Sequence, residues 1–143
     1  MVTVTAESTG LTTVRMSNGR HEWLADEPLD LGTDSAPNPY DLLLAALASC
    51  TCITISLYCK HKNIELRKVS VTCEHDRVHA DDCEECDDDT SGFVDRIHSQ
   101  VEIDAELTEH QKERLTQIAM RCPVHKTLQS NIAFRDAMSF DSA

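Results

Sequence analysis

Glycine is scarce in this sequence, with four in 143 residues, and no Gly-rich loop of the kind that cradles phosphates occurs. Neither G-x-S-x-G nor H-E-x-x-H is present, which removes the serine-hydrolase elbow and the metalloprotease helix. Aromatics make up only 4%, so a core has to be built from Leu, Ile, Val, Ala and Cys. Basic residues are outnumbered, 13 against 25, for a net charge of −12. That sign repels phosphate backbones and anionic bilayers, so neither nucleic acid nor a membrane is an expected partner. The first residues lack a basic segment followed by an apolar one, so no export signal is expected. No apolar stretch reaches the roughly 18 residues of a bilayer span. Residues 42–57 come near, but Ser49, Thr51, Thr54 and Ser56 interrupt them. A cytoplasmic location is the expectation.

What remains has the composition of one soluble domain spanning residues 1–143, with 41% hydrophobic and 27% charged residues. Seven cysteines in a chain without an export signal suit thiols that are reactive, metal-bound or simply buried. Residues 2–7, 11–16 and 21–25 read as short strands separated by Gly10 and by Asn18-Gly19, a hairpin signal. Asn38-Pro39 opens a helix, with Asp41 at capping-box spacing. This helix runs to about Lys60 and is apolar nearly all round, which calls for enclosure on most sides and so for a second subunit. Strand alternation covers residues 69–73 and 97–107. Thr108 and Gln111 form a capping box for the next helix, Pro123 starts a short one, and residues 132–135 read as a last strand. The fold class is therefore α+β: antiparallel strands packed on a long, central, buried helix.

Three places can carry chemistry. The first is Cys50 on the long helix, with Cys52 and Cys59 nearby; each also suits a core position, and pattern alone does not choose among them. The second is Cys122-Pro123-Val124-His125-Lys126. If Pro123 starts a helix, Cys122 occupies its cap, where backbone N–H groups and the dipole favour a thiolate, and His125 and Lys126 add positive charge. The plainer alternative is a cysteine that closes the apolar stripe of the preceding helix. The third is Cys73-x-His75-x3-His79-x3-Cys83-x2-Cys86. Cys73, His79, Cys83 and Cys86 could hold Zn²⁺, or Cys83 and Cys86 could form a redox disulfide. The seven carboxylates between Asp81 and Asp89 disfavour a reactive thiolate there, so a solvated acidic loop is the third option.

The segment Asn38-Pro39-Tyr40-Asp41-Leu42-Leu43-Leu44-Ala45-Ala46-Leu47-Ala48-Ser49-Cys50-Thr51 resembles the central-helix motif of the osmotically inducible protein C / organic hydroperoxide resistance superfamily. Cys122-Pro123-Val124-His125-Lys126-Thr127-Leu128 is similar to its second cysteine motif, in the same order and at similar spacing. The segment 19–28 and the Cys83-x2-Cys86 loop point to an uncharacterised subgroup. The resemblance implies an intertwined α+β homodimer with sites at the dimer interface. It implies a thiol peroxidase in which Cys50 attacks an organic hydroperoxide, Cys122 resolves the sulfenic acid to a disulfide, and an external dithiol reduces it, with no metal or cofactor. In that family a glutamate ten residues before the first cysteine holds an arginine over the thiolate. Tyr40 stands at that spacing here, leaving Asp41 as the nearest carboxylate and Arg20, with Arg15, as the candidate cation. Two other functions stay open: a non-enzymatic, redox-sensing protein that binds an apolar ligand, and a zinc module built on the Cys73–Cys86 cluster.

Overall fold

The computed structural model describes residues 1–140. In chain order the elements are strands β1 (Thr5–Ser8), β2 (Val14–Ser17) and β3 (Glu22–Ala25), helix α1 (Pro39–His61), strand β4 (Leu66–His79), a 3-10 turn (Ala80–Asp82), strand β5 (Phe93–Ala105), and helices α2 (Glu109–Ala119) and α3 (Pro123–Gln129). The fold is α+β, as the alternating strand and helix periods imply. The chain forms two compact units: Met1–Ala48 with Cys73–Ser99, and Ser49–Thr72 with the chain from Gln100 on.

In the first unit, β1, β2 and β3 make an antiparallel sheet in the order β1-β2-β3. Thr5 faces Ser17 in one pair and Val14 faces Ala25 in the next. The turn between β2 and β3 is held by Asn18, whose Oδ1 accepts the N–H groups of Arg20 and His21 at 3.0 and 2.8 Å. Gly19 takes the left-handed φ of +88° that this turn requires.

After β3 the chain enters a loop organised around one carboxylate, a feature the sequence pattern did not single out. Asp26 is 1% exposed, and hydroxyls and amides satisfy its carboxylate. Oδ1 accepts from Thr12 Oγ1 at 2.7 Å and Glu27 N at 2.8 Å. Oδ2 accepts from Thr33 Oγ1 and N at 2.5 and 3.3 Å, and from Ser35 Oγ and N at 2.7 and 3.1 Å. The Thr12 hydroxyl first, then Thr33 and Ser35, hold this carboxyl far below the ordinary carboxylate range, against the opposing effect of burial. Gly32 lets the loop close: a Cβ there would meet Glu27 O at 2.5 Å and Asp26 Oδ1 and Thr12 Oγ1 at 2.7 Å each.

Helix α1 begins where the reciprocal cap predicts. Asn38 Oδ1 accepts the Asp41 N–H at 2.9 Å, and Asp41 Oδ2 accepts the Asn38 N–H at 3.0 Å. Its burial differs from expectation. A single stripe at four-residue spacing, Leu47, Thr51, Ile55 and Cys59, is at most 4% exposed, while Tyr40, Leu43, Ile53 and Leu57 stand out in solvent. Within one chain this helix is not enclosed. By length and composition it is also long and apolar enough to cross a membrane, which corrects the shorter reading of residues 42–57. The hydroxyls taken as interruptions are folded back: Thr54 Oγ1 donates to Cys50 O at 2.7 Å and Ser56 Oγ to Cys52 O at 2.9 Å. The core helix of a globular protein passes the same length and composition measure.

In the second unit, Ile55, Cys59 and Leu115 form the buried centre, with Tyr58, Ile64, Leu66, Val69, Val101, Ile103, Leu107 and Ala119 packed around them. Strands β4 and β5 pair with each other. Side chains bridge them at Arg67–Asp104, where Nε donates at 2.8 Å. Helix α2 opens with the expected capping box: Thr108 N donates to Gln111 Oε1 at 2.9 Å and Gln111 N to Thr108 Oγ1 at 3.2 Å. Residues 132–135 are not a strand; Ile132 and Phe134 are 48% and 81% exposed, and among the described residues they join neither sheet.

Two outcomes follow. Leu115→Ala deletes one of the buried side chains at the centre of the second unit and lowers stability by about 2–5 kcal/mol in urea unfolding. The Asp26 carboxyl titrates lower folded than unfolded, so its contribution is full above about pH 4 and is lost as pH falls below that value. Asp26→Asn lowers the unfolding midpoint at neutral pH and flattens the acid limb of stability against pH. Equal acid slopes in wild type and variant would refute the assignment.

Candidate thiol site

Cys122 caps α3, with φ −63° and ψ 152°, and Pro123 takes the first helical position. Its sulfur is 0% exposed. Neighbours from α3 and α1 point hydrogens at it. His125 N donates at 3.3 Å, closing the cap. Thr51 Oγ1, from the buried stripe of α1, donates at 3.5 Å. Cys50, the residue before Thr51, adds a side-chain hydrogen bond. Burial pushes the Cys122 thiol up, but the Thr51 hydroxyl, the His125 N–H, the Cys50 thiol and the Val124 N–H together outweigh it, and the net shift is downward.

Cys50 and Cys122, distant along the chain, are therefore neighbours within one unit, close enough for the Cys50 thiol to help lower the Cys122 pKa. Both are free thiols, and they differ in access: Cys122 is sealed, whereas Cys50 is half-buried. Thr51 is the functional residue the sequence reading missed, having counted it only as a polar interruption. Its signal was present: a hydroxyl between Leu47 and Ile55 on a buried stripe must find a partner. His125 serves through its backbone N–H, and its ring Nδ1 is buried with no hydrogen-bond partner among the described residues.

The other expected residues fall elsewhere. The Asp41 carboxylate is committed to capping α1, about two and a half turns before Cys50. Arg20 is exposed in the turn between β2 and β3, and Arg15 pairs with Glu7 at 3.1 Å across β1 and β2. Cys59 is packed in the core, where burial pushes its thiol up, so it is poorly suited to attack.

The proposed zinc set is not assembled. Cys83 and Cys86 are joined as a disulfide, Cys73 Sγ lies 3.3 Å from Ser99 Oγ, and His79 Nδ1 accepts the Asp81 N–H at 3.3 Å. No group of three or more potential ligands is gathered for a metal among the described residues. The physical reason is direct: each sulfur of the C-x2-C pair is spent on the other. Nearby, His75 stacks on Tyr40 with ring centroids 4.8 Å apart and bonds Asp95 Oδ1 at 3.0 Å, so it too has its own partners.

Comparison with known proteins agrees with this architecture. No curated protein matches the chain. Among solved structures it is similar to an OsmC-like protein from Mycoplasma pneumoniae, with 24% identity, 90% of this chain and 87% of that one covered, and a TM-score of 0.70. It is similar to an organic hydroperoxide resistance protein OsmC from Legionella pneumophila, with 24% identity, coverage of 92% and 90%, and a TM-score of 0.62. It also resembles the organic hydroperoxide resistance protein OhrB of Bacillus subtilis, at 19% identity, 92% coverage of both chains and a TM-score of 0.60. At such identities these likenesses establish the fold. The model of the OsmC-like protein family matches residues 32–135, a span that holds both Cys50 and Cys122, and the chain belongs to that family.

Proposed function

We propose that this protein is a thiol-dependent reductase of organic hydroperoxides, with Cys50 as the attacking sulfur and Cys122 as its base and resolving partner. The observation that carries the reading is a half-buried thiol set beside a sealed one that Thr51 and the α3 cap stabilise. The sulfur better suited to bear charge is not the one a peroxide reaches, and one proton lies between them. Passing that proton from Cys50 to Cys122 makes the accessible sulfur the thiolate. The donors on Cys122 keep one negative charge on the pair, and the shared proton decides which sulfur carries it at the moment of attack.

The steps balance. Cys50 thiolate attacks the terminal peroxide oxygen, the O–O bond breaks, and the alkoxide takes the proton held on Cys122 and leaves as an alcohol. Cys50 is then a sulfenic acid and Cys122 a thiolate. Cys122 attacks Cys50 Sγ, and hydroxide departs and becomes water with a proton from solvent. An external dithiol returns two electrons and two protons by exchange. Two further elements of the proposal rest on surface chemistry. The exposed Ile53 and Leu57 on α1 favour a homodimer that covers them, and the surface charge of −12 favours a location in the cytoplasm, away from anionic membranes.

Loss of cumene hydroperoxide in the presence of a dithiol is the direct test. Cys50→Ser abolishes turnover. Cys122→Ser leaves a single turnover that ends with a dimedone adduct on Cys50; an adduct found on Cys122 in the Cys50→Ser protein would reverse the roles. Thr51→Val removes a donor from the Cys122 sulfur and moves the pH profile of the peroxide step upward. An unchanged pH profile would remove Thr51 from the mechanism.

A further inference from the structure

The hairpin of β4 and β5 ends in a second sulfur centre that the thiol pair of Cys50 and Cys122 does not use. Cys83 and Cys86 are disulfide-bonded across three positions of sequence, and both are partly exposed. This bond is not needed to shape the turn. Cys86 N already donates to Cys83 O, Cys83 N to Ala80 O at 3.2 Å, Ala80 N to Gly92 O at 2.7 Å, and Thr90 N to Asp87 O at 2.9 Å. A cross-link over so short a loop also removes little entropy from the unfolded chain. A disulfide that adds little to the fold and lies within reach of solvent has the properties of an exchanging one.

Its surroundings select the partner. Asp81, Asp82, Glu84, Glu85, Asp87, Asp88 and Asp89 flank the two sulfurs, all exposed, and no Lys or Arg occurs between residues 80 and 92. The nearest cations are already engaged: Arg96 binds Asp76 through both Nε and a terminal nitrogen, at 2.9 and 2.5 Å, and Arg77 lies 5.9 Å from the Phe93 ring centroid. Beside the loop, in the same unit, a cavity of about 660 Å³ is lined by Glu74, Asp76 and Glu85, with Arg96 as its only Lys or Arg. The attacking species in disulfide exchange is a thiolate, itself an anion, and at low salt such a field repels it over about 30 Å. A thiol carried on a positively charged molecule escapes that repulsion.

We infer that Cys83–Cys86 is a second thiol–disulfide exchange site, and that it takes electrons from a cationic thiol compound or from a thiol on a basic protein surface. A partner thiolate attacks one sulfur, the Cys83–Cys86 bond breaks, and a mixed disulfide forms while the other cysteine leaves and is protonated. A second partner thiolate attacks the partner's sulfur in the mixed disulfide and frees the remaining cysteine. Two thiols are thereby oxidised to one disulfide, and Cys83 and Cys86 gain two electrons and two protons. This inference does not depend on the peroxidase reading, since its sulfurs and its readout are separate.

The test uses the intact native protein, with differential alkylation read on the peptide that contains both cysteines. Cysteamine, 2-mercaptoethanol and 2-mercaptoethanesulfonate supply a positive, a neutral and a negative thiol, with rates compared per thiolate. The expected order is positive, neutral, negative, with the extremes about tenfold or more apart at about 0.01 M salt and converging at about 1 M. The combined Glu84→Gln, Glu85→Gln and Asp87→Asn variant narrows the spread at low salt. Equal rates at low salt, a disulfide that no reagent reduces in the native state, or recovery of both cysteines as thiols after mild oxidation would each overturn the inference.

Discussion

A sulfur cannot hold charge inside a protein unless hydrogens point at it, and the placement of Cys122 answers that constraint. Burial alone would make it an inert hydrophobe, as it does for Cys59 on the same unit's core. Two elements of local structure change its character. Pro123 starts α3, so the His125 N–H is free to turn toward the cap. The packing of α1 carries Thr51 and Cys50 to the same sulfur. Remove the helix start or the register of α1, and the sulfur is left with desolvation and no compensation.

The chain uses the same device twice. Asp26 in the first unit is a buried anion stabilised by six hydrogen bonds from hydroxyls and amides rather than by an ion pair. Neutral donors fixed by backbone geometry avoid the desolvation cost of a second charge. They also commit the surrounding loop, because Thr12, Thr33 and Ser35 reach the carboxylate only in one arrangement, and Gly32 must leave room for it. The outer ion pairs, such as Arg67 with Asp104, are largely exposed and screened by solvent, so each contributes little. Organisation in this protein comes from buried acceptors more than from salt bridges.

Local signals were legible in the sequence wherever neighbours within four residues decide the structure. The caps of Asn38 with Asp41 and Thr108 with Gln111, and the Pro123 helix start under Cys122, form as their spacing implies. Signals that need a distant partner were not legible. Alternation suggested that β4 ends at Cys73, because His75 does not look apolar; the strand runs on to His79, and His75 is half-buried against Tyr40. Residues 132–135 have strand-like composition without a strand to pair with. Thr51 and Asp26 look like ordinary polar residues until tertiary structure gives them a sulfur or a nest of hydroxyls. Cys83 and Cys86 were visible as a motif, yet the sequence favoured a solvated acidic loop or a metal site over the disulfide that forms.

The distribution of sulfur also has a practical meaning. Cys83 and Cys86 occupy each other, Cys122 is sealed, and Cys59 lies at the centre of the second unit with its thiol pushed up by burial. A reagent that counts accessible thiols therefore sees far fewer sulfurs than the composition holds while the chain is folded. Cys59 becomes visible only when the packing of Ile55 and Leu115 opens. The protein thus carries an intrinsic gauge of its own integrity, a silent atom whose appearance in a thiol titration marks loss of the core rather than a turn of the redox cycle.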